Sequence, residues 1–203
     1  MKFQSARLCD VGCGNGTHLK ALCDAGVVYP VGVDISASSL SGLLAKDWQS
    51  SAILILADVT TWNVGPMFDG TLCSLPPINK ADGFGLAALV TALRSITNPG
   101  GWILLKLFDS DLIEDIIGTY SVAYEDAQIE KVSTISHFQE TSSIEIRQHF
   151  RDAPEDIHSE VVDTPTQSEV IRQMEVSRLS VTTVDCPDQL PGTRIYLLRR
   201  PLE

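Results

Sequence analysis

Between an apolar run and a helical pattern the chain reads Asp10-Val11-Gly12-Cys13-Gly14-Asn15-Gly16. Glycines in that place let the backbone approach a ligand closely, and the helix behind them offers unpaired N–H groups. The nearest simple pattern, Gly-x-Gly-x-x-Gly, binds dinucleotides. Here the third glycine comes one residue early, and Thr17 stands where that pattern wants glycine. Asp10, two residues before the first glycine, would also repel a pyrophosphate. A ligand with a cationic amino-acid portion suits that acid better; the competing role for Asp10 is an N-cap or loop carboxylate.

Two more acids end the next apolar runs. Asp34 closes Val31-Gly32-Val33-Asp34, where a carboxylate can accept both hydroxyls of an adenosine ribose; its alternative reading is a bare strand-end acid. Asp58 follows Ala52–Ala57 and is placed to meet an adenine edge; a surface-turn aspartate is its alternative reading. Three acids at the carboxyl ends of three strands, plus a glycine turn, define one crevice.

The elements that must position these residues alternate between short apolar runs and helical patterns, which predicts a mostly parallel sheet covered by helices. Strands are expected at Ala6–Val11, Val31–Asp34, Ala52–Ala57, Phe68–Ser74 and Trp102–Phe108, with helices over His18–Ala25, Ser36–Gln49 and Phe84–Ile96. Ile53–Leu56 and Ile103–Leu105 are continuously apolar, as strands buried on both faces require. After Phe108 the pattern changes. Leu112–Ile117 reads as a short helix, and Ile129–Phe138 with Ser143–Arg151 as a hairpin of period-two alternation. Ile157–Val162 reads as a third antiparallel strand, Thr166–Leu179 as a helix, and Ser180–Asp185 with Arg194–Arg199 as a closing pair.

On these residues the sequence resembles class I S-adenosylmethionine-dependent methyltransferases over nearly its whole length. The resemblance implies an α/β, Rossmann-like fold: a seven-stranded, mostly parallel sheet with a C-terminal antiparallel hairpin and an inserted antiparallel lid. It implies one domain over residues 1–203, with 120–163 as the substrate lid. It also implies S-adenosyl-L-methionine as cofactor. Carried over, Asp10, Gly12, Cys13, Gly14, Asn15 and Gly16 take the methionine end; Asp34 and Ile35 take the ribose side, and Asp58 with Val59 the adenine. Phe68-Asp69 and Cys73-Ser74 correspond to the fourth-strand motif beside the transferred methyl, with Cys73 on the cofactor and Ser74 on the substrate. Asn98-Pro99-Gly100-Gly101-Trp102 matches the turn before the fifth strand.

An inserted hairpin is a feature of small-molecule members. Thr134-Ile135-Ser136-His137 followed by Ile144-Glu145-Ile146-Arg147 resembles nucleotide-sugar amine N,N-dimethyltransferases, in which a lid histidine faces the substrate amine. The resemblance makes His137 the expected catalytic base and Glu145, Arg147 and His149 the expected substrate contacts. The competing reading of His137 and His149 is that of exposed sheet residues, and His18 and His158 are expected at the surface. Cys73-Ser74-Leu75-Pro76-Pro77-Ile78 falls short of the motif used on planar nitrogens: Leu75 replaces the polar acceptor and Ile78 the stacking aromatic. The function implied is methyl transfer to an amine or hydroxyl of a sugar-like or secondary metabolite. The alternative is a methyltransferase-like chain that binds the cofactor, lacks independent activity and acts with a partner.

Charge agrees with a small-molecule substrate. The formal net charge of 203 residues is -11, with 15 basic and 26 acidic side chains, which works against a phosphate backbone as partner. Asp109–Glu160 alone holds 13 acids and 3 bases, so the acidity falls on the expected lid and favours a cationic or amine-bearing acceptor; a solvated face kept for solubility is the plainer explanation. Cys9, Cys13, Cys23, Cys73 and Cys186 form no metal-ligand spacing and read as the thiols of a reduced protein. No run approaches the roughly 20 apolar residues of a bilayer span, and the first residues carry no signal-peptide pattern, so a cytoplasmic location is expected. Strand one begins by about residue 6, earlier than in the family, which leaves three expectations open: the chain is a fragment, a homodimer or partner subunit covers the pocket, or the cofactor site is open.

Overall fold

Short apolar runs become parallel strands when each is followed by a crossover that packs an amphipathic helix back on the sheet. The computed structural model, which describes residues 5–124, 129–138, 140–150, 153–186 and 190–202, has this construction. In chain order come β1 (Leu8–Val11), α1 (Thr17–Asp24), β2 (Val31–Asp34), α2 (Ala37–Leu44), β3 (Ile53–Leu56), β4 (Phe68–Ser74), α3 (Leu86–Ile96) and β5 (Thr97–Phe108). An inserted sheet follows: β6 (Gly118–Tyr124), β7 (Ile129–Phe138), β8 (Ser143–Phe150) and β9 (Ala153–Asp163). The chain closes with α4 (Gln167–Val176), β10 (Ser180–Val184) and β11 (Thr193–Arg199).

The main sheet has the order β10-β11-β5-β4-β1-β2-β3. β1 to β5 are mutually parallel, and β11 runs antiparallel to both β5 and β10. The order reverses at β1, so a crevice opens at the carboxyl ends of β1 and β4, where open α/β sheets bind their ligands.

Register assigns side chains to faces. Cys9, Thr71, Ile103 and Leu198 lie in one row across β1, β4, β5 and β11. All four are buried, and their face packs against Leu89, Val90 and Leu93 of α3 and Val170 and Met174 of α4. Asp10 lies in the next row, beside Gly32, Leu72 and Leu104, and looks to the opposite face. There a smaller core of Cys13, Leu19, Leu40 and Leu43 seats α1 and α2.

Local signals account for the helix ends. The Ser36 hydroxyl accepts the Ser39 N–H at 3.2 Å and starts α2. Thr166 and Glu169 form a reciprocal capping box on α4. The helix expected over Ser36–Gln49 stops at Leu44 and resumes only as a 3-10 turn at Gln49–Ser51. Leu112–Ile117 contains only a 3-10 turn, Ile113–Ile116. β3, expected to be buried, is an edge strand: Ile53 is 47% and Leu56 59% exposed, because no strand among the described residues pairs beyond it. The inserted sheet has one strand more than the hairpin and third strand expected, since β6 pairs antiparallel with β7. Arg151, the expected end of the hairpin, lies outside the described residues. No helix among the described residues is long and apolar enough to cross a membrane.

Candidate active site

The glycine turn between β1 and α1 adopts the backbone its sequence permits. Gly12, Gly14 and Gly16 have φ of 69°, 49° and 79°, in the left-handed region open to glycine. The N–H groups of Gly12 and Cys13 both donate to the Val33 carbonyl, tying the turn to β2. Gly16 has a second reason to be glycine: a Cβ there would stand 2.6 Å from Leu43 Cδ2 and 2.7 Å from Trp48. Gly16 is the N-cap of α1 and has no side chain to cap it; of the N–H groups that the first turn leaves without a helical partner, that of Thr17 goes to Asn15.

Asp34 sits at the hub. Its Oδ2 accepts the Gly14 N–H at 2.7 Å and its Oδ1 accepts the Ser36 N–H at 2.8 Å. The carboxylate therefore holds the glycine turn and the β2–α2 loop together, while each oxygen keeps a lone pair free for another donor. Ile35, next to it, is 71% exposed.

Asp10 is the anomaly. The residue is 1% exposed, and neither carboxylate oxygen has a hydrogen-bond partner among the described residues. Burial, then the nearby Asp34 charge, push its pKa up to about 7. A buried acceptor pair left empty is costly, and such groups cluster where a ligand supplies the missing donor. His18 is exposed, as expected, at 47% of its side chain, and its Nδ1 still lies 3.8 Å from Asp10 Oδ1.

Asp58 caps its own turn, its Oδ1 accepting the Thr60 N–H and hydroxyl at 2.8 and 2.7 Å. Val59 beside it is buried. Asn15 braces the glycine turn by accepting the Thr17 N–H and hydroxyl.

The fourth-strand residues divide. Ser74 pairs with Lys106 of β5 and shares Asp10's face, whereas Cys73 pairs with Val11 and Leu105 and points into the core. Burial holds the thiols of Cys9, Cys13 and Cys73 protonated, with Cys13 near 12, and every cysteine is free. Asp69 does not stand beside Ser74. It lies five residues back along β4, about 17 Å at strand spacing. There it accepts the Arg7 N–H and the Asn98 amide. Leu75, with φ of 50°, turns the chain sharply after β4, and its N–H donates to the Lys106 carbonyl at 2.8 Å.

In the inserted sheet His137 pairs with Ile144, on the face whose Ile144 and Val162 join the main core. Its Nε2 is buried without a partner among the described residues. Glu145, Arg147 and His149 do share a face, as the alternation implies, but it is the opposite one. There Glu145 Oε1 accepts the Arg147 Nε–H at 2.9 Å and the Ser159 hydroxyl at 2.6 Å, which lowers its pKa. The structure thus separates His137 from the other three lid residues.

Two residues of the crevice had no role in the sequence reading, His18 and Lys106. Lys106 interrupts the apolar run Ile103-Leu104-Leu105-Lys106-Leu107-Phe108, and a charge inside a buried strand is the signal that points to it. A cavity of about 290 Å³ lined by Lys80, Leu86, Thr164 and Arg172 lies among the loop after β4 and the starts of α3 and α4; it shares none of the crevice residues. Among the described residues no group of three or more His, Cys, Asp or Glu could hold a metal ion.

No family model and no curated protein sequence matches the chain. Solved structures do. An S-adenosylmethionine-dependent methyltransferase from Clostridium acetobutylicum aligns at TM-score 0.74 and 17% identity, over 96% of this chain and 84% of its own. CalS10, an amino pentose methyltransferase from Micromonospora echinaspora solved with S-adenosylmethionine bound, aligns at 0.68 and 21%, over 96% and 83%. DesVI of Streptomyces venezuelae aligns at 0.70 and 19%, over 98% and 86%. What is shared at these identities is the fold, a Rossmann-like methyltransferase fold. With at least 96% of this chain matched in all three, most of the inserted sheet belongs to the shared part.

Proposed function

We propose that this protein uses S-adenosylmethionine to methylate a nitrogen or oxygen of a small, sugar-like molecule, with an amine as the favoured acceptor. The observation that carries this reading is Asp10: a buried carboxylate with two empty acceptor oxygens beneath a glycine turn, at the switch point of the sheet. An ammonium fills that vacancy, and phosphate would worsen it.

The residues fit the cofactor along its length. Asp10 would take the ammonium of its amino-acid end, and the glycine turn admits close approach of the chain between sulfur and ribose. Asp34 keeps lone pairs for the ribose hydroxyls; Ile35 offers exposed apolar surface, and Asp58 retains Oδ2 for an adenine amino group. When bound, S-adenosylmethionine supplies an electrophilic methyl carbon on a sulfonium. The chain's task is then alignment: Ser74, on Asp10's face at the end of β4, and the turn at Leu75 border the space where an acceptor lone pair must point. His137 would accept the proton that the acceptor gives up. An amine is favoured for two reasons. The lid segment is acidic, and CalS10, whose alignment takes in most of the inserted sheet, is an amino pentose methyltransferase.

The test is turnover with methyl-labelled cofactor on a panel of amino sugars and matched hydroxy sugars. Transfer to an amine and not to its hydroxy counterpart supports the reading. Cofactor binding without transfer to any member would replace it with a cofactor-binding scaffold that needs a partner.

A further inference from the structure

If the crevice holds S-adenosylmethionine, the ligand's amino-acid end brings a carboxylate as well as an ammonium, and Asp10 can answer only the ammonium. We propose that Lys106, with His18 beside it, binds that carboxylate, so that the site reads the amino-acid end as a zwitterion.

The placement follows from register. Asp10 pairs with Leu72, Leu72 with Leu104, and Ser74 with Lys106. Lys106 is therefore on Asp10's face, two strands away and two residues nearer the carboxyl edge. At ordinary strand spacing and rise, the two Cα atoms stand about 12 Å apart. That span accommodates a carboxylate from one side, an extended lysine from the other, and an amino-acid group between them. His18 closes the third side, 3.8 Å from Asp10 and near enough to Lys106 that the lysine's charge, after burial, lowers the imidazole's pKa.

The charge pattern strengthens the case. Acids outnumber bases 26 to 15 in this chain, yet the side-chain ammonium of half-buried Lys106 has no ion pair or hydrogen bond among the described residues. Burial lowers its pKa, with the exposed Cys186 as the neighbour that opposes the shift. A partly desolvated ammonium with no counter-ion, across from a buried carboxylate with no donor, is a complementary pair of vacancies.

This inference rests on the cofactor reading, and three probes separate the two. S-adenosylhomocysteine carries both charges, its decarboxylated analogue only the ammonium, and 5′-methylthioadenosine neither. Calorimetry with Lys106→Met should show S-adenosylhomocysteine weakened about 10- to 100-fold, with the other two probes unchanged. Lys106→Arg should restore binding. Equal affinity of Lys106→Met and wild type for S-adenosylhomocysteine overturns the proposal alone, and so does an equal loss for all three probes. A wild-type chain that binds none of the three overturns the cofactor reading and this proposal with it.

Discussion

Replacing Asp10 with asparagine should make the ligand-free protein more stable, and more so as pH rises. Asp10 titrates near 7 in the fold against an ordinary value of 3.8, because burial and Asp34 disfavour its charged form. A carboxyl whose pKa is raised on folding carries no penalty below the unfolded value. The penalty grows as pH climbs from about 4 and is complete above about 7. A shift of about three units corresponds to about 4 kcal/mol at the upper limit. Between pH 5 and pH 8 the stability gained by Asp10→Asn over wild type should therefore widen by about 2.5 kcal/mol, a change in Tm of about 5–10 °C for a chain of this size. Urea denaturation of both proteins at pH 5, 6, 7 and 8 reads this directly, and pH-independent costs of the amide cancel in the difference. Parallel stability curves, or an advantage that shrinks toward pH 8, would refute the idea that Asp10 is a strained, vacant acceptor. The same variant should lose the stabilisation that S-adenosylhomocysteine gives wild type, since the destabilised carboxylate is what the ligand satisfies.

Three other substitutions test separate parts of the account. Gly16→Ala places a Cβ against Leu43 and Trp48 at a φ of 79°, and should cost about 3 kcal/mol in chemical denaturation. Arg194→Met strips the partner from Asp109, a carboxylate 1% exposed at the end of β5, and should cost about 3 kcal/mol; a loss under 1 kcal/mol would mean that water reaches the acid. His137→Gln should lower kcat on an amine about 10²- to 10³-fold while leaving S-adenosylhomocysteine affinity unchanged, and an unchanged kcat would assign the proton to another group.

Most of the main sheet was legible because its information is local. Apolar runs ending in Asp10, Asp34 and Asp58 mark parallel strands and their carboxyl ends, and the glycine turn marks where the sheet order reverses. Tertiary information was less accessible. The composition of Ile53–Leu56 is that of a central strand, but only the sheet order reveals that β3 lies at the edge with Ile53 and Leu56 exposed. Tyr120, Val122 and Tyr124 alternate as a strand should, yet Gly118–Tyr124 becomes one only by pairing with β7. In the lid, the period of two groups Glu145, Arg147 and His149 correctly, but the face that His137 shares depends on the hairpin register, which a sequence does not disclose. The motif groups Asp69 with Ser74, although five residues of strand carry it to the far end of β4. Lys106 left a trace in the sequence, a charge within an apolar strand; its relation to Asp10 required the register of β1, β4 and β5.

The central claim is that the crevice under the glycine turn binds S-adenosylmethionine through its acids. Calorimetric titration of S-adenosylhomocysteine into wild type and Asp34→Ala tests it most directly, with circular dichroism confirming that the variant is folded. The account predicts one site per chain in wild type with micromolar affinity, and a loss of at least tenfold when Asp34 no longer holds Gly14, Ser36 and the ribose. No binding by wild type, or the same affinity in the folded variant, would contradict it.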